Sequence, residues 1–175
     1  MEIIRTNHLV LRDLEESDWR EVHRYASDDN VVRYMNFGPN TEQETRMFIR
    51  RALETRDDQP RTNYDLAVVL GDAKILIGDC GIYVTDSVNR EGRIGYCLSR
   101  EFWGRGYATE TAGALIRFGF EKLSLHRIYT YCYAENTASA NVLEKIGMER
   151  EGRLRQSKLK NGRWHDELLY AVLEP

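Results

Sequence analysis

The chain has 175 residues, the length of one ordinary domain, so we expect a single domain over residues 1–175. Hydrophobic residues make up 42% and charged residues 30%, a composition that is typical of a globular protein and excludes a disordered one. The 25 basic and 28 acidic side chains give a net charge of −3. This charge lacks the basic excess of a dedicated nucleic-acid-binding protein, so we expect no nucleic-acid partner.

The distribution of apolar residues, cysteines and histidines predicts a compartment. The longest unbroken apolar run, residues 168–173, is far shorter than the ~20 residues that cross a bilayer, so we expect no membrane partner. The first residues do not join a basic segment to a long apolar one, so we expect no secretory signal. The 3 cysteines form no C-x-x-C motif, and the 4 histidines never fall at metal-ligand spacing. The sequence therefore predicts a cytoplasmic protein without a metal ion.

The first third of the chain predicts one strand and two helices. Residues 9–12 alternate enough for a short strand. Ser17 is placed to cap the first helix. Thr41 and Glu44 have the spacing of a capping box and open the second helix, which should end near the polar run at residues 56–60.

The middle of the chain is typical of strands. Residues 64–70 and 73–83 flank Gly71-Asp72, a short hairpin signal, and residues 93–99 alternate again. A glycine-rich turn at residues 103–109 follows. The long helix after it has apolar residues at i, i+3 and i+4 spacing.

The last third predicts a strand, a helix and a hairpin. Residues 128–133 are rich in β-forming residues, and Asn136 or the next residue opens a helix that ends before Gly147. Two strands then flank Asn161-Gly162, a strong hairpin signal. Seven strands and four helices in this order predict an α/β or α+β fold, with helices packed on a mixed central sheet.

The segment 99–109 predicts a phosphate site. Gly104 and Gly106 let backbone N–H groups converge on one point, where the following helix also presents its positive end. Arg105 adds a cation and Thr109 a hydroxyl at the rim. Two glycines alone are equally typical of a plain strand-to-helix turn. A Rossmann fingerprint would need glycine at position 109, and no P-loop motif occurs, so both common nucleotide sites are excluded.

Two blocks of the sequence carry a resemblance to a known family. Residues 98–110, LSREFWGRGYATE, closely resemble the acetyl-CoA loop of the GNAT superfamily of N-acetyltransferases. Residues 135–148, ENTASANVLEKIGM, resemble the next motif of that superfamily, in matching order and spacing. Residues 9–12, LVLR, resemble the start of the branch that acetylates ribosomal-protein N-termini, and spermidine acetyltransferases have a similar pattern.

The resemblance implies a GNAT fold, in which a mixed sheet of about seven strands splays open near its middle and helices cover both faces. It implies an enzyme that moves the acetyl group of acetyl-CoA to a primary amine, here a protein N-terminal α-amine, by direct transfer in a ternary complex. It also allows a homodimer through the C-terminal strands. The implied acetyl-CoA-binding residues are Cys97, Leu98, Ser99, Gly104, Arg105, Gly106, Tyr107, Ala108, Thr109, Asn136 and Ser139.

The resemblance makes Ser139 the candidate general acid. Many GNAT enzymes place a tyrosine four residues after this position to protonate the leaving thiolate, and this chain has Leu143 there. In the ribosomal-protein branch the serine is proposed for that task. The alternative is that Ser139 only forms hydrogen bonds within the first turn of its helix.

The general base is less well defined, because the glutamates used by relatives would fall at Arg93 and Lys158. Glu91 would share a strand face with Arg93, and we predict it as the catalytic base. Glu135 and His165 are the other candidates, and a water relay without a single base is a further alternative.

The charge is unevenly distributed between the two halves of the chain. Residues 1–87 carry 11 basic and 17 acidic side chains, a net of −6, whereas residues 88–175 carry 14 and 11, a net of +3. The basic half contains both motifs and suits a polyanionic CoA, and the acidic half would attract a cationic amine. Two alternatives to the N-terminal acceptor stay open: a small amine such as a polyamine or an antibiotic, and a CoA-binding sensor that lacks the usual glutamates.

Overall fold

The computed structural model describes residues 3–71 and 73–175, over which eight strands form one sheet and five helices pack on it. The strands are β1 (Ile3–Arg5), β2 (Leu9–Asp13), β3 (Asn63–Leu70), β4 (Ile75–Asp86), β5 (Glu91–Leu98), β6 (Arg127–Tyr133), β7 (Glu149–Lys160) and β8 (Arg163–Leu173). The helices are α1 (Trp19–Ala26), α2 (Asp29–Val32), α3 (Glu42–Arg56), α4 (Tyr107–Glu121) and α5 (Thr137–Lys145).

The sheet is mixed, as expected from the sequence. Its order is β1-β2-β3-β4-β5-β6-β8-β7, and every neighbouring pair is antiparallel except β5 and β6, which are parallel. It has one strand more than the sequence indicated, because β1 has three residues, too few to show an alternating pattern.

The sheet splays open between its two parallel strands, which confirms the expected split. β5 and β6 pair over three positions, Glu91–Arg93 against Arg127–Tyr129. Just beyond them the Thr130 hydroxyl donates to the carbonyl oxygen of Ile94 at 2.8 Å, so a side chain replaces the ladder where the strands diverge. We call the gap beyond this bond, between residues 94–98 and 130–133, the split.

Helices cover both faces of the sheet, as expected. α4 and α5 bury Leu115 and Leu143 in one apolar cluster, and α1 and α3 bury Tyr25 and Ile49 in a second. Successive residues of β3 belong alternately to the two clusters, which is why its sequence is continuously apolar. We refer to the two sides of the sheet as the α4–α5 face and the α1–α3 face.

The helix starts confirm one predicted cap and overturn another. The Thr41 hydroxyl accepts from the Glu44 N–H, and the Glu44 carboxylate accepts from the Thr41 N–H at 2.7 Å, as the capping box predicts. The predicted cap at Ser17 is wrong. A short 3-10 turn over Glu16–Asp18 precedes α1, and the Asp18 carboxylate accepts from the Glu15 N–H at 2.8 Å.

The hairpins follow the sequence signals. Asn161 and Gly162 both have positive φ, 50° and 74°, and join β7 to β8 as predicted. The strands on either side of Gly71-Asp72 pair as expected, although Asp72 itself lies outside the described residues. Within the described ranges, none of the helices has both the length and the apolar character that crossing a membrane requires.

Candidate active site

The predicted phosphate loop has the backbone geometry that its glycines suggested. Gly104 and Gly106 have φ of 72° and 83°, in the left-handed region that favours glycine. A Cβ built on either would meet no described atom within 4 Å, so these glycines serve backbone conformation and face open space. Gly106 is the N-cap of the 15-residue α4, whose first N–H groups lack intrahelical acceptors. The loop can therefore hold an anion at the positive end of a helix.

The edge of β5 offers backbone groups to the split. Ser99 N–H donates to the Ile77 carbonyl at 2.8 Å, which assigns the odd-numbered residues at this end of β5 to the ladder with β4. The backbone groups of Tyr96 and Leu98 therefore face the split. The Trp103 indole N–H confirms this direction, because it donates to the Leu98 carbonyl at 2.8 Å. A Leu98 N–H aimed into the gap is a donor of the kind that stabilises an oxyanion.

The start of α5 brings a pair of hydroxyls to the same gap. The Asn136 side chain caps α5 by accepting from the Ser139 N–H at 3.1 Å. The Ser139 hydroxyl lies 3.0 Å from the hydroxyl of Tyr96 on β5. The structure thus brings Asn136 and Ser139 together with the β5 edge, as the sequence predicted, and adds Tyr96 to them.

Tyr96 is a residue that the sequence reasoning missed. Burial raises its pKa to about 12, and the hydrogen bond with Ser139 offsets part of that effect, so the phenol keeps its proton at neutral pH. Leu143 stands where many relatives have a tyrosine, and this absence was the one sequence signal that another residue could supply a hydroxyl near Ser139. The distance between residues 96 and 139 in the chain gave no indication of which residue supplies it.

The side chain of Cys97 lies on the opposite face of the sheet from those of Tyr96 and Leu98. Its side chain lies on the α1–α3 face, buried beside Asp79, and burial raises the pKa of the thiol well above its usual value. The carboxyl of Asp79 accepts from the Tyr25 hydroxyl, and burial raises the pKa of Asp79 to about 7. The expected contact of Cys97 with acetyl-CoA is therefore not one that its thiol is placed to make.

Glu91 lies at the closed end of the split, away from the other predicted site residues. Seven positions separate it from Leu98, roughly 20 Å along a strand. Arg127 donates to the Glu91 carboxylate at 3.0 Å and also binds Glu151. Glu91 is thus held in an ion-pair cluster, and the structure does not bring it together with Ser139.

Aromatic side chains line the open end of the split on the α1–α3 face. The Tyr133 ring is 5.1 Å from the His165 ring and 6.0 Å from the Tyr34 ring, measured between centroids. We call these three residues the aromatic wall. Tyr34 belongs to the segment after α2, which approaches the β7–β8 hairpin from the other half of the sheet.

One lysine fixes that segment to the hairpin. The Lys160 ammonium donates to three carbonyl oxygens at the end of α2 and after it, those of Val32 at 2.7 Å, Met35 at 2.6 Å and Phe37 at 3.1 Å. Partial burial lowers the pKa of Lys160. These bonds hold the hairpin and the segment after α2 together beside the aromatic wall.

Comparison with known proteins shows the same architecture and the same motifs in acetyltransferases. The family model described as "Acetyltransferase (GNAT) domain" matches residues 8–149. The "Uncharacterized N-acetyltransferase YnaD" of Bacillus subtilis (strain 168) is 35% identical over 171 residues, 98% of this chain and 96% of the relative. A spermidine N(1)-acetyltransferase of Vibrio cholerae is 26% identical over 169 residues, 96% and 94% of the two chains.

Solved structures agree with these relatives. The crystal structure of a GNAT-family acetyltransferase from Bacillus anthracis superposes with a TM-score of 0.87 at 34% identity, covering 98% of each chain. RimL, a ribosomal L7/L12 alpha-N-protein acetyltransferase in complex with coenzyme A, superposes with a TM-score of 0.88 at 22% identity, again over 98% of each chain. At that identity the likeness to RimL is one of fold.

Proposed function

The chain belongs to the GNAT family of N-acetyltransferases, and on this premise we propose that it moves the acetyl group of acetyl-CoA to a protein N-terminal α-amine by direct transfer in a ternary complex. One observation carries the proposal. The anion-binding start of α4 at Gly106 lies beside a strand edge that presents the Leu98 N–H to an open split.

The residues present fit acetyl-CoA. The open space in front of Gly104 and Gly106 admits a pyrophosphate, and the start of α4 supplies positive charge to it. Arg105 is exposed beside the loop, where it can add a cation. The residues proposed to hold this region are Gly104, Arg105, Gly106, Tyr107, Ala108 and Thr109. The pantetheine arm would then run along the β5 edge at Leu98, with Asn136 across the gap, and Ser99, whose N–H is bound to β4, would follow at the end of this edge.

Two groups would act on the thioester itself. The Leu98 N–H would stabilise negative charge on the carbonyl oxygen during attack by the amine. The Ser139 hydroxyl would donate a hydrogen bond to the departing sulfur, whose thiol pKa of ~8.5 makes thiolate a tolerable leaving group. Tyr96 holds Ser139 from the strand, and Asn136 holds it from the helix start. Because the contact of Tyr96 is with the Ser139 hydroxyl, through which it would act, we assign it a positioning role.

The acceptor is the finer part of the proposal. The likeness in fold to RimL and the resemblance at residues 9–12 support an N-terminal α-amine. The acidic half of the chain supplies α1, α2 and α3 on the acceptor side, which favours a cationic amine at a distance. The similarity to a spermidine N(1)-acetyltransferase supports a polyamine as the second candidate. The three buried free cysteines support a reducing cytoplasm as the place of reaction.

Release of thiol from acetyl-CoA over a panel of amines tests this function. Peptides with a free α-amine should raise the rate well above hydrolysis, and the same peptides with a blocked N-terminus should not. Faster turnover of spermidine than of every peptide would select the second candidate. Binding of acetyl-CoA without turnover of any amine would overturn the enzyme assignment in favour of a CoA sensor.

A further inference from the structure

A histidine and a glutamate form a pair at the open end of the split. Nδ1 of His165 lies 3.5 Å from Oε1 of Glu135. This nitrogen is shielded from solvent and has no hydrogen-bond partner among the described residues. Leaving a buried polar group without a hydrogen bond is destabilising, so its presence calls for a functional reason. The His165 side chain as a whole keeps 18% of its surface exposed, so a small group can reach the ring.

Backbone bonds fix this pair to the part of the site that holds Ser139. Ala134 N–H donates to the Asp166 carbonyl at 2.9 Å, which ties the segment after β6 to β8 next to His165. Asn136 N–H donates to the Tyr133 carbonyl at 2.8 Å, and the Asn136 side chain caps the helix that carries Ser139. Glu135 is therefore held between the histidine and the cap.

The pair faces the proposed acid from the other side of the sheet. His165 packs on Tyr133, which lies on the α1–α3 face, whereas Ser139 contacts Tyr96 on the α4–α5 face. A group on each face at the open end of the split would meet a substrate between them. The acceptor amine is expected on the face of the aromatic wall, where His165 lies.

We propose that His165, oriented by Glu135, is the general base that deprotonates the acceptor amine. This role rests on the proposed acetyl transfer. A carboxylate beside Nδ1 keeps the proton on that nitrogen and leaves the lone pair of Nε2 to accept another. An α-amine of pKa ~8 is about nine-tenths protonated at pH 7, so a proton must leave before attack.

The protons balance as follows. Nε2 takes one proton from the ammonium, directly or through one water, and later passes it to solvent. The neutral amine forms the C–N bond to the acetyl carbon as the C–S bond breaks. The second proton moves from nitrogen to the departing sulfur, so the products are an amide and a free thiol.

Several charged and titratable groups surround His165. Its own strand, the neighbouring strands, the start of α5 and the segment after α2 supply them. They are Arg163 and Glu167 on its own strand face, Lys158, Tyr133 and Glu135, with Tyr34 in contact with Tyr133 and Lys160 near the end of the hairpin. Ser157 donates to Glu167 at 2.9 Å, and Lys160 is occupied by its carbonyl partners. This leaves the Glu135 carboxylate as the described anion closest to Nδ1.

The test compares two acceptor amines in His165→Gln and the wild type. With an amine of pKa above 8, the variant should lose about 100-fold in kcat/KM at pH 7. With an amine of pKa below 6, which is already neutral, the loss should be under 5-fold. The pH profile of kcat/KM for the basic amine should change shape, because without the base only the neutral amine reacts and the rate of the variant should keep rising with pH up to the pKa of the amine itself. Acetyl-CoA affinity should not change.

Two further variants keep the test decisive. Glu135→Gln changes a side chain that is 45% exposed, and it should lower kcat/KM about 10-fold for the basic amine and leave that for the neutral amine within 2-fold. His126→Gln is the matched control. Nδ1 of His126 also lies near a glutamate, 3.9 Å from Oε2 of Glu174, but His126 directly precedes β6, at the closed end of the split. It should behave as the wild type.

Equal losses for the two amines in both His165→Gln and Glu135→Gln, or a pH profile of His165→Gln that matches the wild type, would overturn the base assignment while acetyl transfer stands. Failure of the wild type to acetylate any amine would overturn both. If His165→Gln does not fold, which its thermal unfolding curve reports, the result with Glu135→Gln decides.

Discussion

The two sides of the split are built from different materials. The side under α4 and α5 uses backbone: left-handed glycines, a helix start and the Leu98 N–H. The other side uses side chains: an aromatic wall and the ammonium of Lys160. Backbone N–H groups suit an acetyl donor that is the same in every enzyme of the family, since almost any sequence supplies them. Side chains suit an acceptor whose identity differs between enzymes of one fold.

The largest effect is expected from adding a side chain to the glycine loop, on the side of the split that uses backbone groups. Gly106→Val should weaken acetyl-CoA binding at least 100-fold, because a branched residue resists φ near 83° and its methyl groups fill the open anion site. Calorimetric titration with acetyl-CoA measures the loss. Gly152→Val is the control, since Gly152 has equally open surroundings without positive φ. Equal affinity in the two variants would contradict the assignment of the loop.

A smaller effect is expected at the Ser139 hydroxyl, a side-chain group on the side that otherwise uses backbone groups. Ser139→Ala should lower kcat about 10-fold and leave the KM for acetyl-CoA within 2-fold, because the hydrogen bond to sulfur matters as the bond breaks. Tyr96→Phe, which keeps Ser139 but removes its partner, should lower kcat only about 3-fold. Initial rates over a range of acetyl-CoA concentrations check both. A change confined to KM would instead indicate that Ser139 only supports the helix start.

On the side of the split that uses side chains, replacing Lys160 should change the KM for the amine and leave the KM for acetyl-CoA unchanged. Lys160→Met should raise the KM for the amine about 5-fold and lower the free energy of unfolding by about 2 kcal/mol, because three carbonyl oxygens lose their donor. Steady-state kinetics and urea unfolding measure the two effects. Lys122→Met, at an exposed position after α4, serves as the control. An increase in the KM for acetyl-CoA would show that the two sides are not separable.

A change beneath α1, at Asp79, should alter stability and leave the kinetics unchanged. The folded pKa of Asp79, about 7, lies above the unfolded value near 3.9, so its contribution to stability is present at low pH and lost as the pH rises through 7. Between pH 5 and 8 the wild type should therefore lose about 2 kcal/mol more than Asp79→Asn, which retains an acceptor for Tyr25. Urea unfolding at both pH values measures this difference. Parallel pH dependences would show that Asp79 titrates normally.

The same difference in material explains what could be predicted from the sequence. The backbone side lies within a few consecutive residues, so Gly104, Gly106 and the strand before them identified it directly. The cap at Asn136 was local as well, and it was predicted correctly to within one residue. The splayed mixed sheet followed from the order of elements together with the family resemblance.

Most of the side-chain side escaped prediction because its parts are far apart in the chain, and only His165 and Glu135 were named beforehand, as alternatives to Glu91 for the base. Tyr34, Tyr133 and Lys160 meet only through tertiary packing, and none stands in a motif. The prediction of Glu91 as base combined the family resemblance at position 93 with strand alternation, and neither reports where along the split a residue lies or that Arg127 binds it. Tyr96 was hidden for the same reason, since its partner Ser139 is on a different element.

The short ladder between β5 and β6 has a consequence for how the two substrates come and go. Because the strands separate after three positions, the gap opens on both faces of the sheet. Acetyl-CoA would approach from the face of α4 and α5, and the amine from the face of the aromatic wall. In the proposed reaction neither substrate would lie on the path of the other, so either could bind first and free CoA could leave while the acetylated product was still bound.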